Sequence, residues 1–412
     1  MNGNYIQQIF AERIGGNKFG KDDKIYKFEK IKRAKRAAVA ANSVLELIDM
    51  GVGEPDDMAH SEVVRRLAVE AADWNNRQYT DNGIQEFKIA VSRYMDEVFN
   101  VNLDADHEIC HAIGSKSALS LLPAAFINPG DLTVMTIPGY PVLGTWTKYV
   151  GGDIVNLPLL ESRNYLPDLN SLTTEQRKKV KLIYLNYPNN PTGATATREF
   201  YAEAIRFAQE NNALIVSDAA YAPLTFDNKP LSVLSVPGGK ECAVELHSMS
   251  KGFNMTGWRL SWVCGNPLAV KAFASVKDNA DSGQFAAIQK ASIMALENWK
   301  IITVAINQKY ERRLRKLVAT LRNLGFPAKM PQGGFYLYVR IPRAVKNGPV
   351  FNNAEDFSQW LIKDKLISSV PWNDVGNYIR FSATFIARGG IQEEESVLGE
   401  FERRISSSEF IF

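Results

Sequence analysis

Residues that bind metals or form disulfides are scarce in this sequence. Its 412 residues include three cysteines (Cys110, Cys242 and Cys264) and four histidines. The odd number and wide separation of the cysteines indicate neither a disulfide framework nor a metal motif, and the histidines form no HExxH-like pair. We therefore expect no structural metal. A reducing compartment, with the cytoplasm as the default, is the expected location.

Long apolar runs and a strong charge imbalance are also missing. The sequence has no run of about 18 apolar residues, so no membrane span is predicted. The first residues combine neither a basic start nor an apolar core, which argues against a secretory signal. The formal net charge of +3 is too small to suggest a nucleic-acid partner. A cluster of basic residues at 30–36 is interpreted as the solvated face of a helix, with an anion-binding patch as the alternative.

Strand-like and helix-like segments alternate from residue 132 onward. Apolar, β-branched runs at 132–137, 180–186, 214–217, 244–246 and 260–264 predict strands. Alternation at this spacing is typical of an α/β fold with a mostly parallel sheet covered by helices. The polar clusters of the sequence are expected at the carboxyl ends of these strands, where such sheets bind ligands.

The pattern changes after about residue 299, which predicts a second domain. A basic helix over 301–323, a strand at 333–339, a helix at 354–365 and a strand at 378–382 indicate an α+β unit. Residues 26–60 have no place in the alternating block, so we expect them to pack with 300–412 as a smaller domain. Residues 61–299 would then form the large domain, and 1–25 an N-terminal arm.

Lys251 lies in a loop of small residues after the apolar run that ends at Leu246. Burial disfavours the charged form of an amine, so a lysine held at a strand end is deprotonated at modest cost. A neutral amine can form a Schiff base with an aldehyde. Arg259 has a planar cation suited to a phosphate, and Ser248 provides a hydroxyl to the same anion. The combination predicts a site for pyridoxal 5'-phosphate (PLP); taken alone, Lys251 could be an ordinary surface lysine.

Four more residues supply what the PLP ring requires. Asp218, at a strand end, can keep the pyridine nitrogen protonated, although an aspartate there is also a common turn or cap residue. Asn190 and Tyr221 can donate hydrogen bonds to the phenolic oxygen. Tyr140 can provide a stacking face. Each has a simpler explanation, but their joint occurrence at successive strand ends favours a cofactor site.

A second phosphate-binding element is predicted at the start of a helix. Ser115 and Lys116 follow Gly114 and precede an apolar helical segment. Free backbone amides, a hydroxyl and a lysine at a helix N-terminus favour an anion. The alternative for Ser115 is a simple N-cap.

As an ordered set, these motifs resemble the class I/II aminotransferases of PLP fold type I. The set comprises Asn189-Asn190-Pro191-Thr192-Gly193, Asp218-x-x-Tyr221, and Ser248-x-x-Lys251 with Arg259. The resemblance covers about residues 26–381 and implies a large domain with a mostly parallel, seven-stranded sheet, plus a smaller α+β domain built from both termini.

The resemblance also implies roles for individual residues. Lys251 would form the Schiff base and carry the 1,3-proton shift, and Asp218 would pair with the pyridinium. Arg380 matches the arginine that binds the substrate α-carboxylate. Tyr79 matches a tyrosine that reaches the phosphate of the neighbouring subunit, which implies a homodimer with shared active sites.

Within this class the sequence is most similar to the LL-diaminopimelate aminotransferase family. The similarity lies in residues 26–31, 48–53, 79–83, 114–116, 138–141 and 278–284. It implies transfer of an amino group between LL-2,6-diaminopimelate and 2-oxoglutarate, giving tetrahydrodipicolinate and glutamate in lysine and cell-wall synthesis. Tyr26 would reach toward the substrate, and the backbone at Gly53 would approach it closely.

Recognition of the distal end of the substrate departs from the family pattern. Better-known members carry a glutamate three residues after the Tyr79 position, where this chain has Asn82, preceded by Asp81. Residues 278–287 contain no arginine, unlike the loop that binds the distal carboxylate in aspartate-type enzymes. Ser282 and Gln284, with neighbouring Asp281, provide mixed donors and acceptors instead, although polar loop residues are usually just solvated.

Other functions remain open from the sequence. A related aminotransferase acting on aspartate, alanine or an aromatic amino acid would share the same cofactor residues, as would a PLP lyase. A non-enzymatic regulator with a PLP fold is disfavoured because no basic DNA-binding module is appended and because Lys251 and Asp218 are both present.

Overall fold

The computed structural model describes residues 5–21, 27–42, 44–227 and 229–412. Helices α1 to α14 span, in chain order, Lys27–Ala41, Ser61–Ala71, Gln85–Phe99, Ser115–Phe126, Val142–Tyr149, Thr174–Lys179, Arg198–Glu210, Gly239–Cys242, Met249–Gly252, Pro267–Lys277, Ala286–Glu297, Trp299–Asn323, Ala354–Lys365 and Ile391–Ile405. Strands β1 to β14 span Ile48–Asp49, Ile109–Ala112, Leu132–Ile137, Asp153–Pro158, Val180–Asn186, Leu214–Asp218, Ala243–Ser248, Ser261–Gly265, Tyr336–Arg340, Ala344–Val345, Ile367–Ser368, Val370–Trp372, Tyr378–Ser382 and Phe410–Ile411. Short 3-10 helices lie at Tyr5–Gln8, Glu12–Ile14, Gly16–Lys18, Trp74–Arg77, Glu161–Arg163, Leu169–Ser171, Val233–Ser235 and Thr256–Trp258.

Seven strands of the described chain form a central sheet in the order β2-β8-β7-β6-β5-β3-β4. Strands β3 to β7 pair in parallel, and their inner members are apolar and buried, as expected for strands covered on both faces. The prediction of a mostly parallel, seven-stranded α/β sheet is therefore confirmed. Strands β2 and β4 had no counterpart among the predicted strands.

The direction of β8 explains how Arg259 reaches the site. Strand β8 runs antiparallel to both β7 and β2, a direction that the sequence did not predict. Arg259 precedes this strand, as the predicted strand at 260–264 implied. It lies at the ligand-binding edge, because the start of an antiparallel strand lies beside the ends of its neighbours.

Alternate residues of the inner strands pack into two separate hydrophobic cores, one on each face of the sheet. Successive side chains of a strand point to opposite faces of the sheet. In β5, Ile183 and Leu185 join the larger core, whereas Leu182 and Tyr184 join a smaller one together with buried residues of α4 and α10. Burial on both faces holds the strands rigidly, so the residues at their ends occupy defined positions.

The remaining strands form smaller sheets outside the central one. Strand β13 pairs antiparallel with β12 and β9, and β1 pairs in parallel with β11. Helix α13 and strand β13 have the predicted bounds. The pairing of β1 with β11 brings a segment from the first part of the chain beside one from its last part. The proposed domain boundaries remain a prediction. Across the described ranges, the helices include none long and apolar enough to cross a membrane.

Candidate active site

A cavity of about 530 Å³ lies at the edge of the central sheet where β5, β6 and β7 end. It brings together the predicted cofactor residues Ser115, Lys116, Tyr140, Asn190, Asp218, Tyr221, Ser248, Lys251 and Arg259, and two predicted substrate residues, Gly53 and Arg380. These residues come from seven separate parts of the chain. The predicted cofactor residues therefore converge on one place with two of the predicted substrate residues.

Lys251 is the amine of this cavity. It lies in the short helix α9, directly after β7, and its Nζ donates a hydrogen bond to the carbonyl oxygen of Gly53 at 2.8 Å. Burial lowers the pKa of Lys251 from 10.5 to about 8. The carboxylate of Glu54 opposes this lowering of the pKa, whereas the cations of Arg259 and Arg380 add to it. The amine is thus prepared to react with an aldehyde near neutral pH.

Asp218 is a buried carboxylate at the end of β6. The hydroxyl of Tyr184 donates to Oδ2 at 2.9 Å, and the backbone N–H of Ala220 donates to Oδ1 at 3.2 Å. Burial raises the pKa of Asp218, while these two hydrogen bonds act in the opposite direction. Since both donors are neutral, the negative charge of Asp218 is available to a cation in the cavity. A protonated pyridine nitrogen fits this requirement.

Arg259 is held in an unusual backbone conformation beside the start of α4. Its φ is 56°, in the left-handed region, and its Nη1 donates to the carbonyl oxygen of Thr256 at 2.9 Å. A Cβ atom at Gly114 would lie 2.2 Å from Nη2 of Arg259, so only glycine permits this approach. Gly114 is also the N-cap residue of α4, and it has no side chain to occupy the helix N-terminus. The guanidinium and the first amides of α4, which begins at Ser115, together form an anion site.

Ser248 lines the same cavity as Arg259 and the start of α4. Its Oγ caps α9 by accepting a hydrogen bond from the N–H of Ser250 at 3.1 Å. The hydroxyl hydrogen remains able to donate to a phosphate oxygen. This cap holds the Ser248 side chain in place at the wall of the cavity.

Arg380 in β13 provides a second cation. Its guanidinium donates to Oδ1 of Asn190 at 3.0 Å and to the carbonyl oxygen of Gly51 at 3.2 Å, and it lies 4.1 Å from the ring centroid of Tyr336. The side chain is buried, and its hydrogen bonds go to neutral oxygens. A substrate carboxylate would supply the missing negative charge.

Sequence reasoning did not find Tyr336 or Tyr184. The hydroxyls of Tyr336 and Tyr221 are 3.0 Å apart, and a Cβ at Gly53 would lie 2.8 Å from the Tyr336 hydroxyl. Both tyrosines occupy strand positions that are equally typical of core residues, so the sequence contains no signal that separates them from the core.

The predicted distal-end residues lie outside the cavity of their own chain. Tyr79 is 84% exposed, and Asp81 and Ser282 are also exposed. The side-chain amide of Asn82 donates to Oδ1 of Asp278 at 2.8 Å. Tyr26 lies outside the described residues. A single chain therefore does not bring Tyr79, Asp81, Asn82 or Ser282 into the cavity that Lys251 lines.

Asp281 and Gln284, which the sequence also suggested for the distal end of the substrate, have ion-pair or hydrogen-bond partners within the chain. Asp281 forms an ion pair with Lys277 at 2.7 Å. The side chain of Gln284 donates to the carbonyl oxygens of Trp258 and Arg259. The expectation that Asp281 and Gln284 offer free donors and acceptors to a substrate is therefore revised: their side chains are committed to internal contacts.

The cavity fits PLP group by group. It contains an amine with a lowered pKa, a buried carboxylate without a charged hydrogen-bond donor, and an anion site built from Arg259, Ser248 and a helix N-terminus. Tyr140 lines the same cavity and belongs to its apolar wall. The ring, the aldehyde and the phosphate of PLP each find a matching group.

Comparison with known proteins agrees with this arrangement. The family model described as aminotransferase class I and II matches residues 46–385. The chain belongs to this family of PLP-dependent enzymes.

Two relatives share more than half of their residues with this chain. They are described as LL-diaminopimelate aminotransferase, from Methanocaldococcus jannaschii and Methanococcus maripaludis, and are 57% and 55% identical to this chain, with 99% of each chain covered. Among solved structures, substrate-bound BacF from Bacillus subtilis has a TM-score of 0.85 at 26% identity, covering 96% of this chain and 97% of its own.

Proposed function

We propose that this protein transfers an amino group between LL-2,6-diaminopimelate and 2-oxoglutarate, giving tetrahydrodipicolinate and L-glutamate, as a cytoplasmic homodimer. The observation that carries the proposal is the 57% identity, over 99% of both chains, to a relative with that described activity. The cavity supports it because Lys251 and Arg380 line the same space.

Three residues of the cavity have distinct tasks in this reaction. PLP, when bound, supplies the aldehyde and the electron sink that transamination requires. Arg380 binds the α-carboxylate and thereby orients the Cα–H bond. Lys251, whose neutral form is accessible near pH 8, would accept the proton from the substrate Cα at Nζ and hold it for return. The carboxylate of Asp218 would hold the protonated ring nitrogen of PLP and stabilise its charge.

We further propose that Asp81, Asn82 and Ser282 bind the distal amino acid group of the substrate in the partner's cavity. Their loops are held in place: Nζ of Lys277 donates to the carbonyl oxygen of Asp81 at 2.6 Å, and the N–H of Asp81 donates to the carbonyl oxygen of Ser282 at 3.2 Å. An exposed but rigidly supported loop suits a contact between subunits. The exposed ring of Tyr79 would reach the partner's phosphate from the same loop.

The first experiment measures glutamate formed from 2-oxoglutarate and LL-diaminopimelate by the purified enzyme with PLP. Meso-diaminopimelate, aspartate, alanine and phenylalanine are tested in parallel, and Lys251→Ala is the inactive control. We expect a strong preference for the LL isomer. Activity with a common amino acid alone would refute the proposed substrate and would leave the assignment to the family intact.

A second experiment tests the shared sites. Lys251→Ala and Tyr79→Ala subunits are each nearly inactive under the proposal, because each lacks one contribution to every site. Mixed dimers formed by co-expression contain one site with neither defect, so part of the activity should return. Mixtures that remain as inactive as the two parents would contradict sharing of Tyr79 between subunits.

A further inference from the structure

The backbone at Arg259 requires support from outside its own turn. A residue other than glycine is strained in the left-handed conformation, and Arg259 has a φ of 56°. The bond from its own Nη1 to Thr256 ties the side chain to the turn but leaves the carbonyl groups of the turn to other donors. What binds those carbonyls therefore determines how well the guanidinium is positioned.

The side chain of Gln284 binds two of them. Its Nε2 donates to the carbonyl oxygen of Trp258 at 2.6 Å and to that of Arg259 at 3.0 Å. Its Oε1 lies 3.1 Å from Nε2 of His111, which is fully buried. Burial lowers the pKa of His111 to about 4, so the ring is neutral at pH 7. Because Oε1 of Gln284 can only accept, the tautomer that fits this contact carries its proton on Nε2 and donates it. This donor fixes the orientation of the carboxamide, with its NH₂ group toward the Arg259 turn.

The backbone of Gln284 binds the loop that carries Tyr79. Its N–H donates to Oγ1 of Thr80 at 3.0 Å, and that hydroxyl donates back to the Gln284 carbonyl oxygen at 2.7 Å. Nε2 of Gln289 donates to the same two oxygens, each at 2.9 Å. Gln284 thus joins the Arg259 turn, through its side chain, to the Tyr79 loop, through its backbone.

We propose that Gln284 is a positioning residue for cofactor binding, one that fixes the Arg259 turn of its own site and joins it to the loop that serves the partner's site. The proposal rests on the proposed function in two respects: it takes Arg259 as a ligand of the PLP phosphate and the Tyr79 loop as part of the partner's site. Gln284 acts through Arg259 and does not itself contact the cofactor.

The test is the dissociation constant for PLP, measured by titrating the apoenzyme and following cofactor absorbance. Gln284→Ala removes both donors to the turn, and we expect PLP binding to weaken about tenfold, the effect of one or two lost hydrogen bonds. Gln284→Met preserves side-chain volume and replaces the alanine variant if that one folds poorly. Thermal unfolding of each apoenzyme shows whether the variant is folded.

A double-mutant cycle with Arg259→Ala separates positioning from general damage. If Gln284 acts through Arg259, its replacement changes PLP affinity less than about twofold once Arg259 is absent. Gln289→Ala is the matched control, because Gln289 is buried in the same cluster but binds the Thr80 side of it. Its effect on PLP affinity should be the same with and without Arg259.

Two results would overturn the proposal: unchanged PLP affinity in a folded Gln284 variant, or an equal loss in both Arg259 backgrounds. Neither depends on the amino acid substrate. Failure of the substrate assay with normal results in this cycle would refute the proposed reaction and leave the role of Gln284 standing.

Discussion

The lowered pKa of Lys251 predicts how the apoenzyme captures PLP as pH changes. Burial lowers this pKa from 10.5 to about 8. At pH 7.5 about a quarter of the Lys251 amines are then neutral, against about one in a thousand for an ordinary lysine, roughly a 250-fold difference. Because only the neutral amine attacks an aldehyde, the rate of capture should rise with pH and level off above about pH 8.

The same shift has a consequence for stability. The unfolded chain keeps the proton on this lysine up to about pH 10.5, whereas the folded protein releases it at about pH 8. Burying the ammonium therefore opposes folding by roughly 3 kcal/mol below pH 8. This cost diminishes as the pH rises from about 8 to 10.5 and is absent above that window, so the folded apoenzyme loses least stability to Lys251 at high pH.

The assay mixes apoenzyme with PLP at a series of pH values, traps the Schiff base with borohydride and measures labelled Lys251 by mass spectrometry. Lys251→Ala provides the blank. Glu54→Gln should shift the midpoint to lower pH, because the Glu54 carboxylate is the largest influence that raises this pKa. Capture that increases only above pH 10, with no midpoint near 8, would refute the argument that burial activates the amine.

Three substitutions test the roles of Asp218, Arg380 and Arg313. Asp218→Asn removes the buried charge that stabilises a protonated pyridine, and we expect kcat/KM to fall at least about 100-fold, roughly 3 kcal/mol; near-normal turnover would contradict the pairing. Arg380→Lys loses the planar fork, so KM for the amino acid should rise roughly 30-fold in steady-state kinetics, whereas a change confined to kcat would argue against carboxylate binding. Arg313→Ala leaves the buried carboxylates of Asp56 and Glu394 without the cation that bridges them, so the free energy of unfolding should fall by about 3–5 kcal/mol and Tm by about 4 °C. An unchanged Tm in a calorimetric scan would show that the remaining partners of these carboxylates suffice.

Local patterns in the sequence were enough to predict the main strands and the chemistry of the cavity. The inner strands are apolar along their length because they are covered on both faces, and this signal is visible without any knowledge of neighbours. Lys251, Asp218 and Asn190 could be predicted because each follows such a strand, and the ends of parallel strands meet at one edge of the sheet.

Contacts between distant parts of the chain were decided only by the tertiary structure. The antiparallel direction of β8 explains why Arg259 reaches the site from the start of a strand, and nothing in the sequence of β8 specifies that direction. Tyr184 donates to a carboxylate 34 residues away, and Gln284 binds a turn 25 residues away. A side chain's hydrogen-bond partner depends on which surfaces pack together, whereas the tendency to form a strand depends on the strand's own residues. The sequence therefore determined the chemistry of the site, and the packing of the sheet and loops determined how that chemistry is held in place.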